Sequence, residues 1–375
     1  VGAPPPLSRR HPPRGGDTPL RPKPAATPDD APPGGTGRGR ITIAEVARRC
    51  GLSVATVSNA LSGGGRMAEG TRARVRAAAD ALGYSASPAA RGLRLRRSWT
   101  LGLVIPDIAN PMYGEIARGA AEVLEAAGCH LLVASHDSCP ERQARHVRNL
   151  LRQRVDGVIL QPWSSRDEEV PAMVAAGLPL VLLARRHLSQ PTDHVTIDPR
   201  APLLEGLRHL AALGHRRIAI TLMGGRASTS AEERLETYRG FMERQAGGPE
   251  EGLIVRLARA DLESGRAAVP ALLAARPTAI VASNDLLALG IREGLHAAGL
   301  RVPEDLSLLA VDDTYLSALP GVELTSLELP KRQIGEAAAR LILERIAEPG
   351  RACESIVLPA RLAVRRSTAP PRPAG

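Results

Sequence analysis

The sequence predicts an α/β protein, with a small N-terminal helical unit followed by two Rossmann-like lobes. Three observations carry that expectation. Residues 43–82 hold three short helical patterns with Gly51 between the first two, apolar strand-like runs alternate with helical stretches after Trp99, and the excess positive charge sits at the front of the chain. About 270 residues of strand–helix alternation exceed one ordinary domain, so two lobes are the natural division.

The charge is the first guide to function. The chain has 375 residues and a net charge of +10, yet residues 1–98 hold 17 Lys/Arg against 6 Asp/Glu while residues 99–375 hold 32 against 33. A near-neutral body with a basic front end implies that the front end meets a polyanion, nucleic acid first and anionic membrane second. Aromatic residues make up 2%, with Phe241 the single phenylalanine. That scarcity excludes the stacking platforms that read single-stranded nucleic acid. Cys50, Cys129, Cys139 and Cys353 lack zinc-site or disulfide spacing and are expected as free thiols in a reducing cytosol. The longest uncharged apolar stretch, residues 172–184, contains Pro179 and is well short of the ~20 residues of a spanning helix. Residues 1–16 lack the apolar core of a signal peptide. A cytoplasmic protein with no membrane partner, metal or cofactor is expected.

Each element follows from local pattern. Residues 1–39, with 11 Pro and 7 Gly, cannot bury enough surface to offset their ordering entropy and are expected to be a disordered tail. Thr42-Ile43-Ala44-Glu45 is a capping box that opens a first helix, which Gly51 ends. Ser53 caps a second helix over 54–61, and a third is expected over 71–82 with Gly83 stopping it. This is a helix-turn-helix, placed at residues 40–85. Ser87-Pro88 then opens an arginine-rich helical segment, residues 86–98, which is too short of core to be stable without a partner. Buried parallel strands are expected at 100–105, 130–135, 156–160, 179–184, 216–221, 278–283 and 306–311. A small ligand would bind between the lobes, at the carboxyl ends of the strands. The motifs of phosphate-binding loops, serine hydrolases and zinc proteases are missing from the sequence, and no catalytic residue is expected.

These residues carry a family resemblance. ITIAEVARRCGLSVATVSNALSGG and TRARVRAAADALGYSASPAARGLR resemble the DNA-binding headpiece of the LacI/GalR family of bacterial transcriptional regulators. IPDIANPMYGEIARGA, VDGVIL, LAALGHRRIAI, ASNDLLALG, AVDD and LPARLAVRRST match its later blocks in order, so the likeness covers about residues 41 to 368. The resemblance implies a helix-turn-helix headpiece with a hinge helix, then a two-lobed, periplasmic-binding-protein-type effector domain over residues 99–368. Lobe one would be residues 99–198 and 330–349, lobe two residues 199–327 and 353–366, and residues 369–375 a disordered tail.

It further implies a sequence-specific regulator, a repressor that dimerises on a pseudo-palindromic operator and is modulated by a small ligand, a carbohydrate by family precedent. A cytosolic sugar-binding or sugar-modifying protein with an incidental basic front is the alternative. By family position Val54, Ala55 and Asn59 would meet base edges, with Asn59 suited to adenine. Thr42, Ser53, Thr56 and Ser58 would donate to phosphates. Leu93 would wedge into the minor groove, flanked by Arg91 and Arg94 on the backbone. In the cleft, Asn110, Met112, Tyr113, Arg185, Asp198, Arg234, Asn284 and Asp312 would contact the effector. Two departures stand out: Thr237 occupies the place of an arginine that commonly precedes Gly-Phe, and Ala184 stands where an aspartate is common. Arg234 or Arg239 would then replace the missing arginine only with a shifted backbone.

Overall fold

The computed structural model describes residues 41–62, 67–84, 97–223, 229–246, 248 and 250–372. The expected tail 1–39 and most of the expected hinge segment lie outside these residues. The chain divides into two units, residues 1–86 and 87–375.

The N-terminal unit holds α1 (Ile43–Cys50), α2 (Val54–Ser62) and α3 (Glu69–Leu82). The carboxylate of Glu45 accepts from the Thr42 N–H at 2.6 Å and from its hydroxyl at 2.9 Å. These bonds fix the start of α1. Gly51 adopts φ +65°, and the Leu52 N–H returns to the Ala47 carbonyl, closing the helix as the sequence predicts. Val46, Ala47, Val57, Ala60, Val75 and Ala79 interlock as the core. Helix α3 starts two residues before the predicted Thr71. Glu69 suits the positive helix N-terminus and pairs with Arg72 at 3.6 Å.

The second unit contains two sheets. The first uses β1 (Thr100–Ile105), β2 (His130–Ser135), β3 (Gly157–Leu160), β4 (Leu180–Leu183), β5 (Asp193–Ile197) and β11 (Ser355–Leu358). Their order is β11-β5-β4-β3-β1-β2, all parallel. Alternation along β1 sends Leu101, Leu103 and Ile105 to one face, where α4 (Pro111–Ala126) and α11 (Lys331–Ala347) cover them. Val104 faces α5 (Pro140–Gln153) and α6 (Glu169–Ala175) on the other side.

The second sheet runs β12-β10-β9-β8-β6-β7, parallel except where β12 (Arg361–Ala363) meets β10 (Thr325–Glu328). It also contains β6 (Ile218–Met223), β7 (Ile254–Leu257), β8 (Ala279–Val281) and β9 (Ser307–Asp312). Helices α7 (Arg200–Ala212) and α8 (Thr229–Ala246) pack on one face. Helices α9 (Leu262–Ala274) and α10 (Asp285–Ala297) pack on the other.

Two expected boundaries are corrected. Residues 353–366 do not all belong to lobe two: β11 pairs in parallel with β5 and completes the first sheet, so the chain crosses back only after Leu358. Residues 369–372 are not a loose tail. Ser307 Oγ and the Ala369 backbone exchange bonds of 2.9 and 3.0 Å, and Arg372 pairs with Asp305. The chain therefore passes between lobes three times, after β5, β10 and β11, with Pro199, Pro330 and Pro359 at the crossings.

Each lobe packs two helices at backbone distance through paired glycines. A Cβ on Gly335 of α11 would lie 1.9 Å from the Ile116 carbonyl oxygen, and one on Gly119 of α4 would lie 2.1 Å from that of Arg332. Gly290 and Gly265 do the same for α9 and α10. Gly335→Ala is therefore expected to cost about 1 to 3 kcal/mol through overpacking. Gly114→Ala on α4, where a Cβ meets nothing within 4 Å, should not lower stability and gains helix propensity. Thermal unfolding followed by the fluorescence of Trp99 and Trp163 checks the opposite signs.

Candidate functional site: a reading helix and an interlobe cleft

Helix α2 divides cleanly. Val57 and Ala60 point into the core, whereas Val54, Ala55 and Asn59 are exposed, with half-buried Ser58 between them on the same face. The 3.6-residue period places positions i, i+1, i+4 and i+5 together, so the residues expected to read bases share one surface. Ser53 Oγ accepts from the Thr56 N–H at 3.1 Å and lies 2.7 Å from the Thr56 hydroxyl. Its capping role is thus present, and Thr42 is engaged with Glu45. Arg91, Leu93 and Arg94 lie outside the described residues.

The cleft is a cavity of about 160 Å³, lined by residues from both sheets. One water needs roughly 10–15 Å³ by this measure, so the cavity holds on the order of ten water-sized groups, the heavy-atom count of a monosaccharide. Its wall is assembled from strand ends: Pro106 after β1, His136 after β2, Gln161 after β3, Arg185 after β4, Asn284 after β8 and Asp312 closing β9. Parallel sheets covered by helices on both faces leave these carboxyl ends as the open edge.

Asp312 is the centre of the site. It is buried at φ +105°, and Asn110 Nδ2 donates to its Oδ2 at 3.2 Å, joining lobe one to lobe two. Burial and the neighbouring Asp285 push its pKa up to about 8, against the opposing pull of Asn110, Arg234 and Lys331. Asn110 Oδ1 also accepts from the Met112 N–H and caps α4, setting Met112 and Tyr113 on the wall. Burial, with the Asp312 charge adding, raises the Tyr113 phenol well above its usual range. Asn284 caps α10 through the Leu287 N–H and donates to the Ala260 carbonyl, so it is a structural cap that also faces the cavity.

Arg185 and Arg234 complete the charged wall. Arg185 donates to the Pro162 carbonyl at 2.9 Å and Arg234 to that of Ser283 at 3.4 Å. Burial lowers the pKa of both guanidinium groups. Arg234 lines the cleft from helix α8. Thr237 lies one turn further along α8 and bonds the Glu233 carbonyl at 2.7 Å instead.

Asp198 is also corrected. It does not line the cavity; it lies outside, at the first interlobe crossing, where its Oδ1 accepts from the backbone and the Nε of Arg200. Sequence reasoning missed His136, Gln161 and Trp163, all on the wall. Their one available signal was position, just beyond the ends of β2 and β3. His136 is buried, its Nε2–H bonds the Gln161 carbonyl at 3.2 Å, and its Nδ1 has no partner among the described residues. Burial depresses its pKa to about 4, so the ring is neutral and Nδ1 is a bare acceptor.

The model for bacterial regulatory proteins of the lacI family matches residues 42–87, and that for a periplasmic binding protein-like domain matches residues 207–368. The HTH-type transcriptional regulator DegA of Bacillus subtilis is 32% identical over 336 residues, which are 88% of this chain and 99% of DegA. The chain belongs to the LacI family. Another LacI-family relative, the ribose operon repressor of Escherichia coli, is 30% identical over 82% of this chain and 94% of its own. Among solved structures, the lac repressor dimer bound to operator superposes with a TM-score of 0.76 at 27% identity, covering 88% of this chain and 99% of that one. The regulator CelR with cellobiose gives 0.65 at 30% identity, covering 88% and 100%. As a LacI-family member the protein is a DNA-binding regulator of transcription. Among the described residues no helix is long and apolar enough to cross a membrane.

The Asp312 environment has a consequence for stability. An unfolded aspartate ionises near pH 3.9, whereas Asp312 holds its proton to about pH 8 in the folded protein. Between those values the folded state binds the extra proton, so stability falls as pH rises. Asp312→Asn removes that loss. Its thermal midpoint should exceed that of the parent at pH 8, with the gap closing toward pH 4. Equal midpoints at pH 8 would show that Asp312 is ionised in the folded state.

Proposed function

We propose that the protein is a dimeric repressor that binds a pseudo-palindromic operator and is released or retained by a small hydroxylated metabolite held between its effector lobes. The observation that carries this reading is the cavity whose two walls meet through Asn110 and Asp312. A ligand there touches both lobes, so it favours one lobe arrangement over another, which is the requirement for any ligand-driven switch. The operator and sugar complexes of the relatives agree with it.

Transmission to DNA would begin where the hinge joins lobe one. The Asp156 carboxylate accepts from the backbone N–H groups of Ser98 and Trp99 at 2.6 and 2.9 Å and from the Ser98 hydroxyl at 2.8 Å. Lobe one thus grips the chain at the end of the hinge segment. Displacing the first lobes of a dimer relative to each other would separate the paired hinges and withdraw Leu93 from the minor groove. One reading helix covers only a few base pairs, which is why two protomers are required. The site of action would be the cytoplasm, where the chromosome is, and the protein would have no catalytic step.

Footprinting on genomic fragments should protect a discrete palindrome. Asn59→Ala should weaken that complex by about 1 to 3 kcal/mol while its salt dependence stays the same. Asp312→Ala should abolish the ligand response and leave ligand-free operator binding in place, whereas Leu93→Ala should weaken operator binding and leave ligand affinity in place. Absence of any protected palindrome at physiological salt would overturn the regulator reading for this chain. An unchanged ligand response in Asp312→Ala would remove Asp312 from the effector site.

A further inference from the structure

The charged groups in the cavity wall are unequal in number. Arg185 and Arg234 line it, and among the described residues Asp312 is the one acidic side chain on that wall, with Glu233 behind Arg234 and close enough to act on it. Asp312 is buried next to Asp285, and its Oδ2 takes the Asn110 amide hydrogen. The acids at the adjoining mouth are engaged elsewhere: Asp137 with Arg142, Asp261 with Arg259, and Asp107 with the Ala109 N–H. The interior is therefore cationic, and guanidinium groups taken out of water are stabilised by an anion brought to them. His136 adds a second requirement. Its buried Nδ1 is an acceptor that no described residue satisfies, so it calls for a donor such as a hydroxyl.

We infer that the effector is an anionic polyhydroxylated metabolite, with a carboxylate or phosphate against Arg185 and Arg234 and a hydroxyl donating to His136 Nδ1. This rests on reading the cleft as the effector site. Ala184 supplies a direct way to test it. Ala184 follows β4 on the cavity wall beside Arg185 at φ +59°, a conformation that Asp and Asn adopt more readily than Ala. Placing a carboxylate there adds a negative charge to the wall without adding backbone strain.

The full-length protein would be titrated by tryptophan fluorescence, since Trp163 lines the cavity, with gluconate, glucose 6-phosphate and glucose, and with ribonate, ribose 5-phosphate and ribose. At least one acid or phosphate should bind at least tenfold more tightly than its neutral parent, and the two kinds of anion separate carboxylate from phosphate recognition. Ala184→Asp should lose at least tenfold in that affinity relative to Ala184→Asn, which matches it in size without the charge. Arg234→Gln should lose the preference for the anion and Arg234→Lys should keep it, which tests the idea independently of how Ala184→Asp folds. A neutral sugar that binds as tightly as its charged counterparts would overturn the anionic assignment and leave the cleft reading in place. Anion binding that Ala184→Asp leaves unaltered would place the anion elsewhere and overturn it too. If no probe of either kind binds, the effector reading of the cleft falls with the inference.

Discussion

Parallel strands buried on both faces leave a sheet only one accessible edge rich in loops, and in this protein two such edges face each other. Most of the polar groups in the cleft are a consequence of that constraint, Arg234 and Tyr113 coming instead from helices α8 and α4. Asn110, His136, Gln161, Arg185, Asn284 and Asp312 all follow or end a strand. Their elements are fixed by apolar packing that has nothing to do with ligand: Leu101, Leu103 and Ile105 under α4 and α11 in one lobe, Ile218, Ile220 and Leu222 under α7 and α8 in the other. The cores position the site, and the site itself contributes little to them.

The polar cleft in turn sets a cost that the cores must carry. Two guanidinium groups and a carboxyl are held out of water within one small cavity, and the buried imidazole of His136 keeps an acceptor unmet. Such groups destabilise the empty form relative to an apolar filling. The same arrangement makes the filled form selective, because a ligand that leaves any of these groups unanswered loses more than it gains.

Much of this was legible in the sequence. The capping box at Thr42, the αL glycine at Gly51 and the apolar runs of the central strands each obey a local rule strong enough to be seen without the fold. The edge strands β11 and β12 are short and only partly buried, so they lack an apolar signature, and the return of β11 to the first sheet is a long-range pairing that no local pattern encodes. In the cleft, the family resemblance pointed to Asn110, Tyr113, Arg185 and Asp312, which line the cavity, and to Asp198, which lies just past the end of β5 and turns to Arg200 instead. Helical phase decided between Arg234 and Thr237, a choice that depends on where α8 starts. His136 had no motif to announce it and became visible only once β2 was placed.

The three interlobe crossings carry a mechanical consequence. A body joined to another by one strand of chain can swing and twist in any direction; three tethers remove most of those freedoms and leave a rotation about the line they define. Proline at each crossing, Pro199, Pro330 and Pro359, stiffens the tethers further by fixing one dihedral and restricting the residue before it. With glycine-locked helix pairs keeping each lobe rigid, the soft coordinate of the effector unit is the opening angle of the cleft. Thermal agitation and ligand would then act along the same axis, and a turn of lobe one would carry with it the Asp156 grip on Ser98 and Trp99.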